Sequence, residues 1–350
     1  MQIKFLSVGC GDAIAIRFLG QDNQYYNILI DGGVEQDKIY VNTVKLEIQA
    51  IVDRKENIDL WIISHIDDDH IGGVLRFIQD ETLRNKINLS KTKFWYNHSN
   101  QDYNVNLKTS KLKSVNQGVR LYDFLKSQSI INEKITTSLA PIIFHGLKLT
   151  ILSPNQKGYD KLMKEFQAEK VISPQTSKLV ASKQNDYTTK LEDFDLKNFV
   201  EDTAVPNGSS IALLLEYKAT KILLLADSHP SVLCETLKVL GYSAMNKLKV
   251  DLMQVPHHGS KANTSSKLLQ LIDCQDFIIS ADAYNKHNLP NKETLARYIA
   301  NFKKTKIKFH FTHKNDLLKS IFEVDKPLQN IECKFPIAEN ALIFNFNPNE

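Results

Sequence analysis

Hydrophobic residues along this chain fall into short runs separated by turn-forming residues, and the spacing within each run predicts an element. "IKFLSV" and "AIAIRFL" flank Gly9-Cys10-Gly11-Asp12, and "YYNILI" ends at Asp31-Gly32-Gly33; all three read as strands with glycine-bearing ends. Residues 38–56 place apolar side chains three and four apart, which predicts an amphipathic helix. "IDLWIIS" follows, a continuous apolar run of the kind buried on both faces of a sheet. The pattern breaks at "SHIDDDHIGG" (residues 64–73), a polar loop, and helical spacing resumes in "IGGVLRFIQD".

Further along, "KFWYNHSN" follows another β-type run, and "LKLTILSPN" (147–155) reads as a strand and its turn. Residues 156–204 form a polar insertion. "GYDKLMKEFQAEK" within it suits a helix, while the rest lacks periodicity and reads as a long excursion. Order returns with "SSIALLLEY" and "TKILLLADSHP", two strands, then the helix "VLCETLKVLGY". "VDLMQVPHHGS", a helix near 265–272, "DFIISADAYNKHNLP" and a helix over about 291–303 come next. A β-rich tail, about 306–350, holds "KIKFHFTH" and "ALIFNF". Strands and helices alternate in both halves without a solenoid repeat, so the expectation is one α/β domain over residues 1–350.

Composition narrows this little. Hydrophobic residues at 42% and charged residues at 24% are ordinary globular values. No apolar run approaches the ~18 residues a membrane span needs, and the N-terminus lacks the basic, apolar and small-residue order of a signal peptide. No membrane association and a cytoplasmic location are the expectations. The four cysteines are scattered, which excludes a disulfide framework and a zinc knuckle. A net charge of +4 is compatible with a polyanionic substrate without demanding one.

The candidate chemistry lies at the ends of the apolar runs. His65, Asp67, Asp69 and His70 follow the first, Asp227 ends "LLLAD", His257 and His258 follow "LMQVP", and His287 follows "FIISADAYNK". Singly, each has an ordinary explanation: an Asp after a strand commonly caps a helix, and a histidine pair commonly packs. Four such groups, each after a β-type run, point instead to a metal site, because adjacent strand ends aim imidazoles and carboxylates at one place. The spacing allows two ions. His65 and Asp67 would serve one, Asp69 and His70 the other, with Asp227 as a bridge; ions ~3.5–4 Å apart can clamp the attacking and leaving oxygens of a substrate.

"SHIDDDHIGG" resembles the signature loop His-x-His/Asp-x-Asp-His-x-Gly-Gly of metallo-β-lactamase-fold hydrolases. The ordered series "VGCGDAIAI", "LIDGG", "SHIDDDHIGG", "SSIALLLEY", "LLLADS", "VPHHGS" and "IISADAYNKHNLP" is similar to the metallo-β-lactamase-like domain of the bacterial competence DNA-uptake protein and its free-standing relatives. The resemblance implies an αββα sandwich with two divalent ions at one edge. Its ligands would be His65, Asp67, Asp69, His70, the bridging Asp227, and His258, with His257 as the alternative to His258. Asp67 stands where a second His is commoner, which moves the expected metal from zinc toward manganese. Asn207 stands near the place of a further ligand histidine. Asp12 and Asp31 are expected either to orient ligand histidines or to serve as caps and turn residues, and Cys10 to be inert. His287, where the family has Gly-His-Pro, would contact a phosphate or transition-state oxygen. With Asp69 and Asp227 it makes up the expected catalytic set.

The implied activity is metal-dependent hydrolysis by a hydroxide held between the ions, most readily nuclease action on DNA. The alternatives are hydrolysis of a small substrate (a cyclic nucleotide, lactone or thioester) and a metal-stabilised interaction module. A protein partner in a bacterial defence or repair system is a further expectation from the resemblance.

Overall fold

A computed structural model of the chain describes residues 1–98, 113–130, 134–168, 185–302, 305–337 and 340–346. Two sheets face each other. The first has β1 (Gln2–Leu6), β2 (Ala13–Leu19), β3 (Tyr25–Asp31), β4 (Leu60–Ile63) and β5 (Lys93–Tyr96), with the last strand, β16 (Ala341–Asn345), at the outer edge beside β1. The second has β6 (Ile142–Phe144), β7 (Leu147–Ser153), β8 (Ala212–Tyr217), β9 (Thr220–Leu224), β11 (Leu252–Gln254), β13 (Asp276–Ile279), β14 (Ile307–Phe311) and β15 (Ile331–Lys334). A short pair, β10 (Leu248–Lys249) with β12 (Ile272–Asp273), lies apart. The tail thus contributes strands to both sheets.

The period of two in each strand divides the core into three layers. Ile14, Ile16 and Phe18 of β2, Ile28 and Ile30 of β3, and Leu60 and Ile62 of β4 point between the sheets, against Leu213 and Leu215 of β8 and Ile222 and Leu224 of β9. The alternate residues, such as Leu29, Trp61 and Ile63, pack outward on the helices 44–53, 68–79, 113–127 and 156–168. On the far side Leu223, Met253, Phe277 and Ile279 pack outward on the helices 230–239, 266–269 and 292–301. The layers are therefore helix, sheet, sheet, helix: the αββα sandwich. β4 is buried on both faces, which is why its sequence is continuously apolar.

Three expectations are corrected. The single helix over 38–56 is two, Asp37–Asn42 and Val44–Asp53, broken at Thr43, whose backbone leaves the helical region (φ −131°, ψ −87°). The helix after β4 starts at Asp68 rather than Ile71, so Asp69 and His70 occupy its first turn instead of a loop; acidic side chains are favoured there by the helix dipole. The helix within the polar insertion spans Gln156–Ala168. Part of the unpatterned remainder, 169–184, lies outside the described residues. The rest is held by point contacts: Asp186 accepts from the backbone N–H of Lys292 and Glu293, and the buried Lys292 ammonium donates to the carbonyls of Tyr187 and Thr189 and pairs with Asp325.

Two glycine pairs lock the site to the first sheet. Gly32-Gly33 after β3 and Gly72-Gly73 in the helix Asp68–Gln79 lie backbone against backbone: Gly73 N–H donates to Gly33 O (2.9 Å) and Gly32 N–H to His70 O (2.7 Å). A Cβ on Gly73 would collide with Gly32 O, and one on Gly72 with Glu35 N, so only glycine permits the approach.

Candidate metal centre

The side chains after β4, β9 and β11 converge at one end of the sandwich, where Ile211 N–H donates to Ser64 O (2.9 Å) and ties the sheets together. Asp227 is the hub. Its Oδ2 lies 3.7 Å from His65 Nε2 and 3.4 Å from His257 Nε2; its Oδ1 lies 3.3 Å from His70 Nε2 and 3.6 Å from His258 Nε2. Asp67 Oδ2 stands 3.7 Å from His65 Nε2, and Asp69 Oδ2 stands 3.2 Å from His258 Nε2. The donors thus form two groups sharing one carboxylate: His65, Asp67 and His257 on its Oδ2 side, and Asp69, His70 and His258 on its Oδ1 side.

These spacings suit metal ions. A tetrahedral ion with ligands at ~2.0–2.1 Å holds neighbouring donor atoms about 3.3 Å apart. The imidazoles are also presented correctly. His70 Nδ1 is 2.8 Å from Asp31 Oδ2 and His257 Nδ1 is 2.8 Å from Asn263 Oδ1; with the proton at Nδ1 in each, the Nε2 lone pair faces the centre. Buried polar atoms there, including His65 Nε2 and Asp227 Oδ1, have no hydrogen-bond partner, as donors meant for a cation would. The residues fit two divalent ions.

Backbone geometry separates the two adjacent histidines. Both His257 (φ 49°) and His258 (φ 55°) are left-handed, which turns consecutive imidazoles to opposite oxygens of Asp227; their rings stand at 82° to each other. Left-handed backbone is costly for non-glycine residues and persists at functional sites. The expectation took His258 and His257 as alternatives, and the structure brings both to the centre, on different sides.

Asp31 accepts from Ser64 N–H (2.7 Å), from Ser64 Oγ (2.6 Å) and from His70, so it orients that ring. Asp12, His70, Asp227 and His258 form a group whose ligand atoms lie within 4.8 Å of one another. Asp12 nevertheless stands behind the rings, its oxygens 3.8 Å from His70 Nδ1 and 3.9 Å from His258 Nδ1, and accepts from Gln254 Nε2 at 2.6 Å. At those distances Asp12 hydrogen-bonds neither ring; it lies on their Nδ1 side, while Asp69 Oδ2 faces His258 Nε2.

The electrostatics follow from crowded carboxylates. Burial opposes charge on His257, but Asp227 and then Asp202 overcome it and push its pKa up to about 10. Burial likewise opposes protonation of His70 and His258, and Asp227 outweighs it in both. Burial opposes ionisation of Asp227 too, and the surrounding imidazoles hold it well below the carboxylate range. His65 goes the other way, lowered by burial and then by His70. Excess negative charge in a buried cluster is what a divalent cation neutralises.

Other candidates lie at the margin. His287 is exposed on the loop after β13, and the charges of His257, Asp69 and His258 act on it. Burial, reinforced by Asp69, raises the Cys10 thiol well above its usual value, which leaves it unreactive. Asn207 Nδ2 donates to Asp202 Oδ2 at 2.6 Å, and its buried Oδ1 has no hydrogen-bond partner. Asp202 was not singled out in the sequence. It accepts from Asn207, Asn263 (3.1 Å) and the Ala204 N–H (2.9 Å), and stands 3.5 Å from His257 Nδ1. Nothing in its polar surroundings marked it.

Comparison with known proteins agrees with this architecture. Residues 21–137 match the model of the metallo-beta-lactamase superfamily. Over 94 residues the chain is 30% identical to ComE operon protein 3 of Bacillus subtilis (strain 168), a stretch amounting to 27% of this chain and 12% of that protein. A solved metallo beta lactamase from Hirschia baltica shares 13% identity over 42% of this chain and 59% of its own, at a TM-score of 0.19, too slight a superposition to add to the fold assignment. The chain carries the metallo-β-lactamase fold and resembles that superfamily. The chain also holds a candidate site for divalent metal at the edge of that fold. No helix among the described residues is long and apolar enough to cross a membrane.

Proposed function

We propose that this protein is a metal-dependent phosphodiesterase with two ions bridged by Asp227. The observation that carries the reading is the placement of the two Asp227 oxygens toward separate donor groups. The ions would be held by His65, Asp67 and His257 on one side, by Asp69, His70 and His258 on the other, and by Asp227 between; when bound they supply Lewis acidity and a water nucleophile at neutral pH. The chain's own part is positional. Asp31 and Asn263 fix the tautomers of His70 and His257. Ser114 Oγ donates to Asp67 Oδ1 at 2.5 Å and sets that carboxylate's direction. Asp69, about a third exposed, is placed to take a proton from an incoming water. Asp67 in place of a further imidazole makes this set of four histidines and three aspartates harder, which favours manganese over zinc.

DNA is the substrate that the competence-type motif series favours, through nuclease action. A second reading, a compact phosphodiester, is supported by the cleft beside His257. This cleft has a volume of about 1360 Å³ and is lined by Glu165, Asp193, Asp195, Glu201, Asp202 and Glu293 against Lys113, Lys261 and Arg297. Those cations are already paired, Lys113 with Asp68 and the other two with Glu293. An acidic wall disfavours a polyanion. The deciding experiment offers labelled single- and double-stranded DNA and dithymidine monophosphate to the wild type and to Asp227→Ala, with Mn²⁺ or Zn²⁺. Metal-dependent cleavage lost in the variant supports the reading, and the preferred substrate selects between the two classes. Cleavage of none by the wild type overturns it.

A further inference from the structure

The cleft has an acid of its own. The helix Gln156–Ala168 buries Leu162 and Phe166 in the outer core, where Phe166 and Ile66 both pack around Gly118: a Cβ there would stand 3.2 Å from Ile66 Cγ2 and from Phe166 Cζ. Ile66 lies between His65 and Asp67, and Phe166 directly follows Glu165. The half-buried carboxyl of Glu165 lines the cleft together with His257 and lies near enough to Asp67 to feel its charge.

The other acids of the cleft are committed or remote from burial. Asp202 is held by Asn207 and Asn263, Glu201 accepts from Ser231 N–H, and Glu293 pairs with Arg297. Asp195 accepts from Asn198, and Asp193 is exposed. Glu165 has no hydrogen bond or ion pair among the described residues.

We propose that Glu165 is the proton donor to the leaving group, an inference that rests on the phosphodiesterase reading above. The oxygen of a water molecule bonds to phosphorus and its proton passes by way of Asp69 to solvent. The phosphorus–oxygen bond to the leaving group breaks, and its electron pair goes to the leaving oxygen. That oxygen takes the carboxyl proton of Glu165, which departs as a carboxylate and is reprotonated from solvent. Burial, and after it the charge of Asp67, raises Glu165 to about 7, so about half of the carboxyls carry a proton at neutral pH.

The test varies the leaving group. Dithymidine monophosphate expels an alkoxide, which needs a proton; bis(p-nitrophenyl) phosphate expels a phenolate that is stable without one. Glu165→Gln, isosteric and unable to donate as an acid, is expected to slow cleavage of the first by about 100-fold and leave the second within about threefold, with bound metal unchanged. An equal loss on both substrates, or no loss on either, overturns the role of Glu165. If the wild type cleaves neither, the phosphodiesterase reading fails and the inference falls with it.

Discussion

His257 and His258, adjacent in the chain, face opposite oxygens of one carboxylate, 3.4 Å from Asp227 Oδ2 and 3.6 Å from Asp227 Oδ1 respectively. The left-handed backbone at both positions produces this divergence. The geometry thus gives each oxygen of Asp227 one of the two imidazoles.

Removing either ring should therefore weaken a different ion. His257→Ala is expected to weaken the ion shared with His65 and Asp67, and His258→Ala the ion shared with Asp69 and His70. Metal content by atomic emission at limiting metal should fall toward one ion per chain in each, and the double variant should fall lower. Full occupancy in His257→Ala would remove that residue from the ligand set.

Asp31 reaches the centre directly through His70 and, by way of Ser64 Oγ, which lies 3.1 Å from His65 Nδ1, through His65. Asp31→Asn should keep the fold and lower metal affinity by about 10–100-fold, the usual cost of losing a group that orients a ligand histidine. A chelator competition on the two proteins measures this, and equal affinities would contradict the role.

The interlocked glycines carry a stability prediction. Gly73→Ala places a methyl group against Gly32 O, an overpacking that costs about 1–3 kcal/mol. The same strain displaces the turn that holds Asp31. A lower Tm and weaker metal binding are expected together, and an unchanged Tm would show that the backbones can separate.

Metal affinity should rise with pH. The free protein keeps a proton on His257 up to about pH 10 because the nearby carboxylates outweigh burial. A metal ion requires the neutral imidazole, so binding at neutral pH releases that proton. Lower pH favours the protonated, metal-free form, and affinity falls as pH falls. Each proton released changes affinity about tenfold per pH unit; titrations with Mn²⁺ at two pH values below 9 suffice, and a flat profile would contradict the assignment.

The parts legible in the sequence were those governed by local pattern. β4 reads as buried because Leu60 through Ile63 face core on both sides, and the stretch from His65 to His70 stands out because it interrupts that pattern. Asp227 and the histidine pair were found by the same rule. What escaped was set by long-range contact or backbone conformation. Asp202 sits in a polar segment with no period and Glu165 in the insertion's helix, where nothing distinguishes it from its charged neighbours, and their importance comes from meeting His257 and the Asp67 flank across the fold. The partner of Asp12, Gln254, is 242 positions away. The assignment of both His257 and His258 depended on two left-handed residues that nothing in "VPHHGS" announces.

The central claim is that one carboxylate joins two metal positions, and the count of bound metal in Asp227→Asn against the wild type tests it most directly. After loading with Mn²⁺ or Zn²⁺ and removal of excess, the wild type is expected to hold two ions per chain and the variant one or none, with both folded by circular dichroism. A wild type that binds no metal, or a variant that keeps both ions, would contradict it.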